Sequence, residues 1–204
     1  MNKERFEKQL GFILEADKEK NILRQTHLSG HGRRENDAEH AWHMAMMIYL
    51  LKEYANESFD IAKAMMMALI HDIVEIDAGD TYAYDDVGIA TQAEREQKAA
   101  ERIYNILPPD QAEELMTLWQ EFEEQNSPEA KFAKAMDNLQ PAMLNAATNG
   151  RAWKEHEVKL SKILKRNENT EAGAAVLWQY GLKHFVEPHV AQGNIQNDVQ
   201  NQPQ

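Results

Sequence analysis

The chain has 204 residues, 43% of them apolar, which is the size and composition of one globular domain. Its 34 acidic and 22 basic residues give a formal net charge of −12, which disfavours nucleic acid as a partner because the phosphate backbone would be repelled. Because Cys is absent and no apolar run approaches about 20 residues, disulfides, thiolate zinc sites and membrane-spanning helices are excluded.

Helical periodicity begins near the N-terminus and continues through the chain. Charges in the first ten residues occupy the place of a signal peptide's apolar core, so we expect a cytoplasmic protein. Apolar stripes, such as Phe6, Leu10 and Leu14, predict helices with one buried face. The predicted helices span 2–16, 37–55, 59–76, 91–106, 111–125, 128–147, 154–166 and 171–186. We therefore predict an all-α fold in which strands are not favoured.

Polar residues mark the starts of two of these helices. Asn36 is followed three residues later by Glu39, which is the spacing of a capping box. Ser127 directly precedes Pro128, as an N-cap precedes a proline in the first turn. These signals support the predicted starts near residues 37 and 128.

Two segments are predicted to lie outside the helices. Residues 79–89 contain two Gly, two Tyr and three Asp, a composition typical of a loop, and loops of this kind often flank functional sites. Residues 191–204 contain eight Asn or Gln and no aromatic residue. We predict a single domain over residues 1–190, followed by a polar tail over 191–204 that lies outside the core.

A first candidate site lies at the end of an apolar helical stretch. Side chains of His71 and Asp72 point about 100° apart around a helix axis, so both can reach one ion. Glu75 follows four residues after His71 on the same helical face, and Asp80 comes just beyond it. Taken alone, a His-Asp pair at a helix end is more often an exposed cap partner.

Two further residues stand out on apolar helical faces. His40 lies in the first turn of its helix, with Met44 and Met47 on the same buried side. Asp137 interrupts an apolar pattern, and a carboxylate on an inward face is costly unless it is paired or metal-bound. Individually, His40 fits a hydrogen-bonded core histidine and Asp137 a local polar network. Their combination with a His-Asp pair favours one shared site.

Three blocks of the chain, 35–40, 71–81 and 130–138, resemble the HD-domain metal-dependent phosphohydrolases, whose signature is His, His-Asp and Asp on a helical bundle. Their sequences are most similar to the 5′-deoxynucleotidase branch and its uncharacterised sister hydrolases. This resemblance implies an HD-domain helical bundle that cleaves a phosphomonoester, first of all a (deoxy)nucleoside 5′-monophosphate. The metal ligands that it implies are His40, His71, Asp72 and Asp137.

The resemblance also implies roles for neighbouring acids. Glu75 would orient or deprotonate the attacking water, and Asp80 would assist as a second acid–base group or through a second metal. Two imidazoles and two carboxylates suit a divalent transition metal such as Co, Mn, Fe, Ni or Zn. A homodimer is implied by resemblance as well.

The segment before His40 contains arginines that are candidates for contacting the substrate. Characterised deoxynucleotidases share an Arg-Trp pair upstream of the first His, whereas this chain has no Trp in that stretch. We expect Arg24 to contact the phosphate, and Arg33 to help attract an anion to an acidic protein, although Arg33 and Arg34 fit surface charges equally well. Trp42 is expected to pack in the core rather than to stack on a base.

Three alternatives remain open at this stage. The substrate of a phosphohydrolase could be another small phosphate ester, because the Arg-Trp pair is missing. The protein could also be a metal-bound binding or regulatory module without turnover, against which the acids at Glu75 and Asp80 argue. A purely structural bundle is the last alternative.

Overall fold

The computed structural model describes residues 2–30 and 32–199, which form a helical bundle with one small sheet. The helices are α1 (Lys3–Ala16), α2 (Asp37–Leu51), α3 (Ile61–Ile70), α4 (Glu75–Ala78), α5 (Asp86–Tyr104), α6 (Pro109–Glu124), α7 (Pro128–Ala147), α8 (Arg151–Glu155), α9 (Leu160–Arg166), α10 (Thr170–Gly181) and α11 (Glu187–Ala191). Short 3₁₀ segments span Asp17–Asn21 and Lys52–Tyr54, and a π-helical turn spans Leu182–Val186. The antiparallel strands are β1 (Leu23–His27) and β2 (Arg34–Asn36).

Helix α7 is the centre of the bundle and packs against α2, α3, α6 and α10. Its buried face joins Met and Ala side chains of α2 and α3 in the main apolar cluster. Helix α10 approaches α7 so closely that a Cβ on Gly173 would lie 2.2 Å from the carbonyl oxygen of Lys131. Glycine is therefore required at this crossing, because any side chain would push the two helices apart.

The predicted helix 59–76 is interrupted at the candidate ligands. After α3 ends, the N–H groups of Ile73 and Glu75 donate to the carbonyl oxygens of Ile70 and Asp72, three residues back instead of four. This tight turn leads directly into α4. The regular i, i+4 geometry expected between His71 and Glu75 therefore does not apply.

Helix starts agree with the sequence where side-chain caps are present. Asn36 and Glu39 form the predicted capping box of α2, and Ser127 accepts a hydrogen bond from the N–H of Ala130 at the start of α7. Helix α5 begins at residue 86 instead of 91 because the Asp85 side chain accepts a bond from the N–H of Val87. The loop predicted over 79–89 is correspondingly shorter.

The strands were not expected from the sequence. Strands β1 and β2 contain five and three residues, too few to show an alternating pattern, and their register shifts between Leu23 and His27. Buried His27 fixes the pair by contacting the Gly32 carbonyl at 3.0 Å and the Glu155 carboxylate at 2.8 Å. The small sheet lies beside the N-terminal end of α2.

Two predicted core faces are exposed in the structure. On α1, the side chains of Ile13 and Leu14 are 62% and 71% exposed, and Phe12 packs against Tyr104 instead. On α2, Trp42 is 63% exposed, so its predicted core packing is wrong. Both errors have one cause: periodicity identifies an apolar face but does not say whether another element covers it.

The predicted polar tail packs in part against the domain. Ile195 is only 1% exposed and joins the apolar cluster around Trp153 and Val158. Backbone hydrogen bonds link Gln196 to Val158 and Leu160. The expectation that this segment lies outside the core is therefore wrong at Ile195, because this single apolar side chain packs into the cluster around Trp153 and Val158. Residues 200–204 of the tail lie outside the described residues.

Candidate metal centre

The structure brings the four residues of the predicted ligand set together from three parts of the chain. His40 lies in the first turn of α2, His71 and Asp72 follow α3, and Asp137 lies within α7. Donor atoms of His40, His71 and Asp72 all lie within 4.8 Å of one another. The Oδ1 atom of Asp137 is 3.1 Å from Nε2 of His40 and 3.9 Å from Nε2 of His71. Three of the four residues thus form one cluster of donor atoms, and Asp137 lies beside both imidazoles.

The orientation of His71 suits a metal ligand. Its Nδ1 lies 2.9 Å from the Ala68 carbonyl oxygen, which can only accept, so Nδ1 carries a hydrogen and Nε2 is the nitrogen that faces the other candidate ligands. Nε2 is buried, lies 3.0 Å from Oδ2 of Asp72, and has no hydrogen-bond partner among the described residues. The neighbouring carboxylates Asp72 and Asp137 overcome the effect of burial and raise the pKa of His71 to about 9. An unpartnered Nε2 facing carboxylates is what a cation ligand requires.

His40 has a carboxylate behind it that sequence reasoning missed. Oε1 of Glu35 lies 3.8 Å from Nδ1 of His40, and both atoms are buried without a hydrogen-bond partner among the described residues. The other Glu35 oxygen accepts a 2.9 Å hydrogen bond from Gln140. Burial raises the pKa of Glu35 to about 7, whereas burial and the charge of Arg24 lower the pKa of His40 to about 4. Glu35 is the first residue of the 35–40 block that resembles the family, but nothing in the sequence indicates that its side chain is buried.

Asp137 presents its two oxygens to different partners. Oδ1 faces the imidazoles, while Oδ2 lies 2.8 Å from Nζ of Lys134 and 3.2 Å from Nη2 of Arg166. Although burial opposes ionisation, these cations and the hydrogen bond with His40 hold the pKa of Asp137 well below its usual range. The carboxylate is therefore ionised, and sequence reasoning did not identify either cation.

Arg24 contacts carboxylates at the centre. Its Nη1 donates to Oδ2 of Asp72 at 2.6 Å and to Oδ1 of Asp37 at 3.3 Å. Asp37 is fully buried, and burial together with the charge of Asp72 raises its pKa to about 7. Arg24 thus holds one of the candidate ligands in place. Its predicted contact with a phosphate would compete with these carboxylates.

Glu75 and Asp80 both line the same cavity next to the candidate ligands. Glu75 is 6% exposed, and its Oε2 atom has no hydrogen-bond partner among the described residues. Burial, followed by the charges of Asp72 and Asp37, raises the pKa of Glu75 far above its ordinary value. Burial also raises the pKa of Asp80. Both acids are placed where a proton acceptor beside the metal centre would be needed.

Arg33 lies away from this cavity. Its guanidinium forms a two-pronged pair with the carboxylate of Glu39 at 2.9 and 2.5 Å, and its side chain is 55% exposed. Among the described residues that line the cavity, Arg24 is present and Arg33 is absent. The structure therefore places Arg33 as a surface charge.

The cavity is lined by the candidate ligands His71, Asp72 and Asp137 and by the loop before α5. Strand β1 contributes Gln25 and Thr26, and the loop contributes Tyr82 and Tyr84. Tyr82 contacts the ring of His156 at 4.5 Å between centroids. The predicted 79–89 loop thus flanks the site, as expected. Its tyrosines add aromatic surface to the cavity wall.

The donor set fits a divalent transition metal. Two imidazole nitrogens and two carboxylate oxygens suit Co, Mn, Fe, Ni or Zn better than the all-oxygen surroundings that Mg²⁺ prefers. The orphaned Nε2 of His71 and the fixed hydrogen on its Nδ1 are independent indications of such a ligand. The residues present therefore fit a bound cation.

The arrangement of helices and ligands defines the class of protein. A family model described as HD domain matches residues 16–178, and the chain belongs to this family. Among individual proteins, the chain is similar to human 5′-deoxynucleotidase HDDC2, with 33% identity over 108 residues that cover 53% of this chain and 52% of that protein. The Danio rerio protein of the same name is 35% identical over 106 residues, 52% of each chain. The matched region thus spans about half the length of these curated relatives.

Solved structures share the fold over a larger part of the chain. A predicted metal-dependent phosphohydrolase from Magnetospirillum magnetotacticum MS-1 is 48% identical, with a TM-score of 0.88 over 94% of this chain and 95% of that one. A conserved hypothetical protein from Pyrococcus furiosus, 24% identical with a TM-score of 0.53, covers 78% of this chain and 94% of its own and shares the fold alone. Within the described residues, no helix combines the length and apolar character needed to cross a bilayer.

Proposed function

We propose that this chain is a metal-dependent phosphohydrolase that cleaves a phosphomonoester, with (deoxy)nucleoside 5′-monophosphates as the first substrate class. The observation that carries the proposal is the cluster of donor atoms from His40, His71 and Asp72, with Oδ1 of Asp137 beside both imidazoles and a cavity lined by His71, Asp72 and Asp137. The relatives named 5′-deoxynucleotidase support the substrate class. A small phosphate ester is the partner that such a cavity would receive.

The metal would be held by His40, His71, Asp72 and Asp137. When bound, a divalent cation lowers the pKa of coordinated water toward about 7 and offsets negative charge on a phosphate oxygen. Around it, Arg24 holds Asp72 through a 2.6 Å hydrogen bond, and Lys134 and Arg166 hold the far oxygen of Asp137. These contacts fix the direction in which each carboxylate faces.

Glu75 is the residue that we assign to the attacking water. It lines the cavity beside Asp72, and one of its oxygens is free to accept a proton. Burial and the charges of Asp72 and Asp37 raise the pKa of Glu75 and so favour its protonated form, whereas a bound cation would lower that pKa and leave a carboxylate able to accept a proton. Asp80 would act as a second acid–base group toward the leaving oxygen. An inert binding module would have no need of either acid.

Another small phosphate ester is the second candidate substrate. It is favoured because no Trp lies between Leu23 and Arg34, where characterised deoxynucleotidases carry their Arg-Trp pair. Tyr82 and Tyr84 provide aromatic surface on the cavity wall on which a base could stack, so a nucleotide remains the first candidate substrate.

A phosphate-release screen tests the proposal. Chelated protein is reloaded separately with Co²⁺, Mn²⁺, Fe²⁺, Ni²⁺ or Zn²⁺ and offered ribo- and deoxynucleoside monophosphates and simple sugar phosphates. We expect metal-dependent release that is lost in His40→Ala and kept in His184→Ala, which changes an exposed histidine. Release from sugar phosphates alone would favour the second candidate. No release from any ester by metal-loaded protein would overturn the proposal in favour of a binding module.

We also propose a homodimer, following the family resemblance. Exposed Trp42, Met46 and Tyr49 on α2 provide apolar surface that a second copy would cover. Light scattering after size-exclusion chromatography measures this directly, and a monomer at micromolar concentration would contradict it.

A further inference from the structure

A positive patch lies on the cavity wall next to Asp137. Nζ of Lys134 and Nη2 of Arg166 both contact Oδ2 of Asp137, at 2.8 and 3.2 Å, and both side chains line the cavity. Two positive charges thus share one carboxylate, so these three groups sum to +1 on a cavity wall that also carries Asp80, Glu96 and Glu123, in a protein whose net charge is −12. An acidic protein that binds an anion needs such a local inversion of charge.

Arg24 is a poorer candidate for binding an anion. It is paired with both Asp72 and Asp37, and its side chain is only 12% exposed. By contrast, the side chains of Arg166 and Lys134 are 31% and 21% exposed and have only Asp137 as an ion-pair partner among the described residues. Arg24 thus donates from Nη1 to two carboxylates, whereas Arg166 and Lys134 share a single carboxylate, so the cations of the Asp137 patch are less neutralised.

Buried hydrogen bonds hold Arg166 beside the metal centre. Asn138, next to Asp137, donates to Oγ1 of Thr170 at 3.0 Å, and that hydroxyl donates to Oδ1 of Asn167 at 3.2 Å. Asn167 directly follows Arg166, and all three polar residues are buried. This chain of contacts ties the end of α9 to α7. An accidental surface ion pair would not need such support.

We propose that Arg166, assisted by Lys134, forms the anion subsite that binds the phosphate group of the substrate and the phosphate product. The inference deepens the proposed function and rests on it. The planar guanidinium can bind two phosphate oxygens at once, and the ammonium adds a compact charge. Because both cations contact the oxygen of Asp137 opposite to the imidazoles, an anion held by them lies next to the metal ligands.

Binding of inorganic phosphate to metal-loaded protein tests the subsite. Arg166→Gln and Lys134→Gln should each weaken phosphate binding in calorimetry by about tenfold or more, and should raise KM more than they lower kcat. Arg166→Lys should restore part of the binding. The matched control is Lys165→Gln, the same loss of charge on the exposed neighbour in α9, which should bind phosphate within about twofold of wild type.

The metal content of each variant is measured in the same experiments. It distinguishes phosphate binding by Arg166 and Lys134 from a role limited to holding the Asp137 carboxylate in place. If Arg166→Gln and Lys134→Gln lose metal but bind phosphate normally after saturation with metal, the subsite is refuted. Unchanged phosphate binding and KM in both variants refute it as well, even while wild type turns over. If wild type hydrolyses no ester yet binds phosphate in an Arg166-dependent manner, the subsite stands and the proposed function fails.

Discussion

Replacing Glu35 with Gln tests whether a buried carboxylate behind His40 tunes the metal centre. Oε1 of Glu35 lies 3.8 Å from Nδ1 of His40, and the other oxygen accepts from Gln140 at 2.9 Å. The oxygen of a Gln side chain can accept from either His40 or Gln140, but not from both. Its NH₂ group would then face the remaining nitrogen, and two donors would oppose each other. The substitution therefore removes a carboxylate oxygen that faces Nδ1 of His40 at 3.8 Å, without a hydrogen bond in this structure.

The size of the effect follows from that loss. Carboxylates placed behind a ligating His change metal affinity by about 10–100-fold. We therefore expect Glu35→Gln to weaken metal binding by about 10–100-fold while the fold is kept. Competition titration against a chromophoric chelator measures the affinity, and far-UV circular dichroism checks the helices.

Glu39→Gln provides the matched control for this variant. Glu39 lies in the same segment, its side chain is 34% exposed, and Gln also serves at the third position of a capping box. Its metal affinity should remain within about twofold of wild type, because exposed ion pairs contribute little. Equal affinities in Glu35→Gln and Glu39→Gln would refute the role assigned to Glu35.

Three further predictions concern catalysis, packing and pH. Glu75→Gln should lower kcat by about 10²–10⁴-fold in phosphate-release assays while bound metal, measured by elemental analysis, is unchanged. Gly173→Ala should lower the free energy of unfolding, measured in urea, by about 1–3 kcal/mol, because its Cβ would lie 2.2 Å from the Lys131 carbonyl oxygen. The control Gly30→Ala, whose Cβ would have no atom within 4 Å, should change this free energy little. Burial raises the pKa of Glu19 from 4.5 to about 8, so the Glu19 carboxyl should make wild type less stable as pH rises through this range. In urea titrations, the free energy of unfolding of Glu19→Gln should therefore rise relative to that of wild type over the same range.

Each of these predictions has a contradicting result. Full turnover in Glu75→Gln would remove it from the reaction, and loss of its metal would make it a ligand. Equal stability of the two alanine variants would show that α10 can shift at no cost. A constant stability difference between Glu19→Gln and wild type from pH 5 to pH 9 would mean that Glu19 titrates alike in the folded and unfolded chain.

Helical periodicity and caps in the sequence were sufficient for the main elements. The start of α7 at Pro128 and its end at Ala147 match the prediction, because an N-cap serine, a first-turn proline and a long apolar stripe agree with one another. The apolar stripe of α1 was predicted equally clearly, yet Leu14 is 71% exposed. Local pattern specifies the element, whereas burial depends on which element packs against it.

The candidate site divides in the same way. His40 and Asp137 could be singled out from sequence because polar groups on apolar helical faces are costly without a partner. Their grouping with His71 and Asp72 as one ligand set came from the family resemblance. Glu35 and Arg166 could not be selected, since their roles depend on contacts with residues in other elements. Arg33 was selected for its charge, but it pairs with Glu39 on the surface.

The amino-acid sequence by itself determined the helical class and the starts of the capped helices, because propensity and capping act over a few residues, and its motif blocks pointed to the four candidate ligands through the family resemblance. Tertiary structure decided which apolar faces are covered, which arginine is neutralised and which remains available to an anion. The reason is that an ion pair such as Arg24 with Asp72, separated by 48 residues, exists only after the helices have packed. Its energy then depends on burial and on competing charges that no local pattern contains.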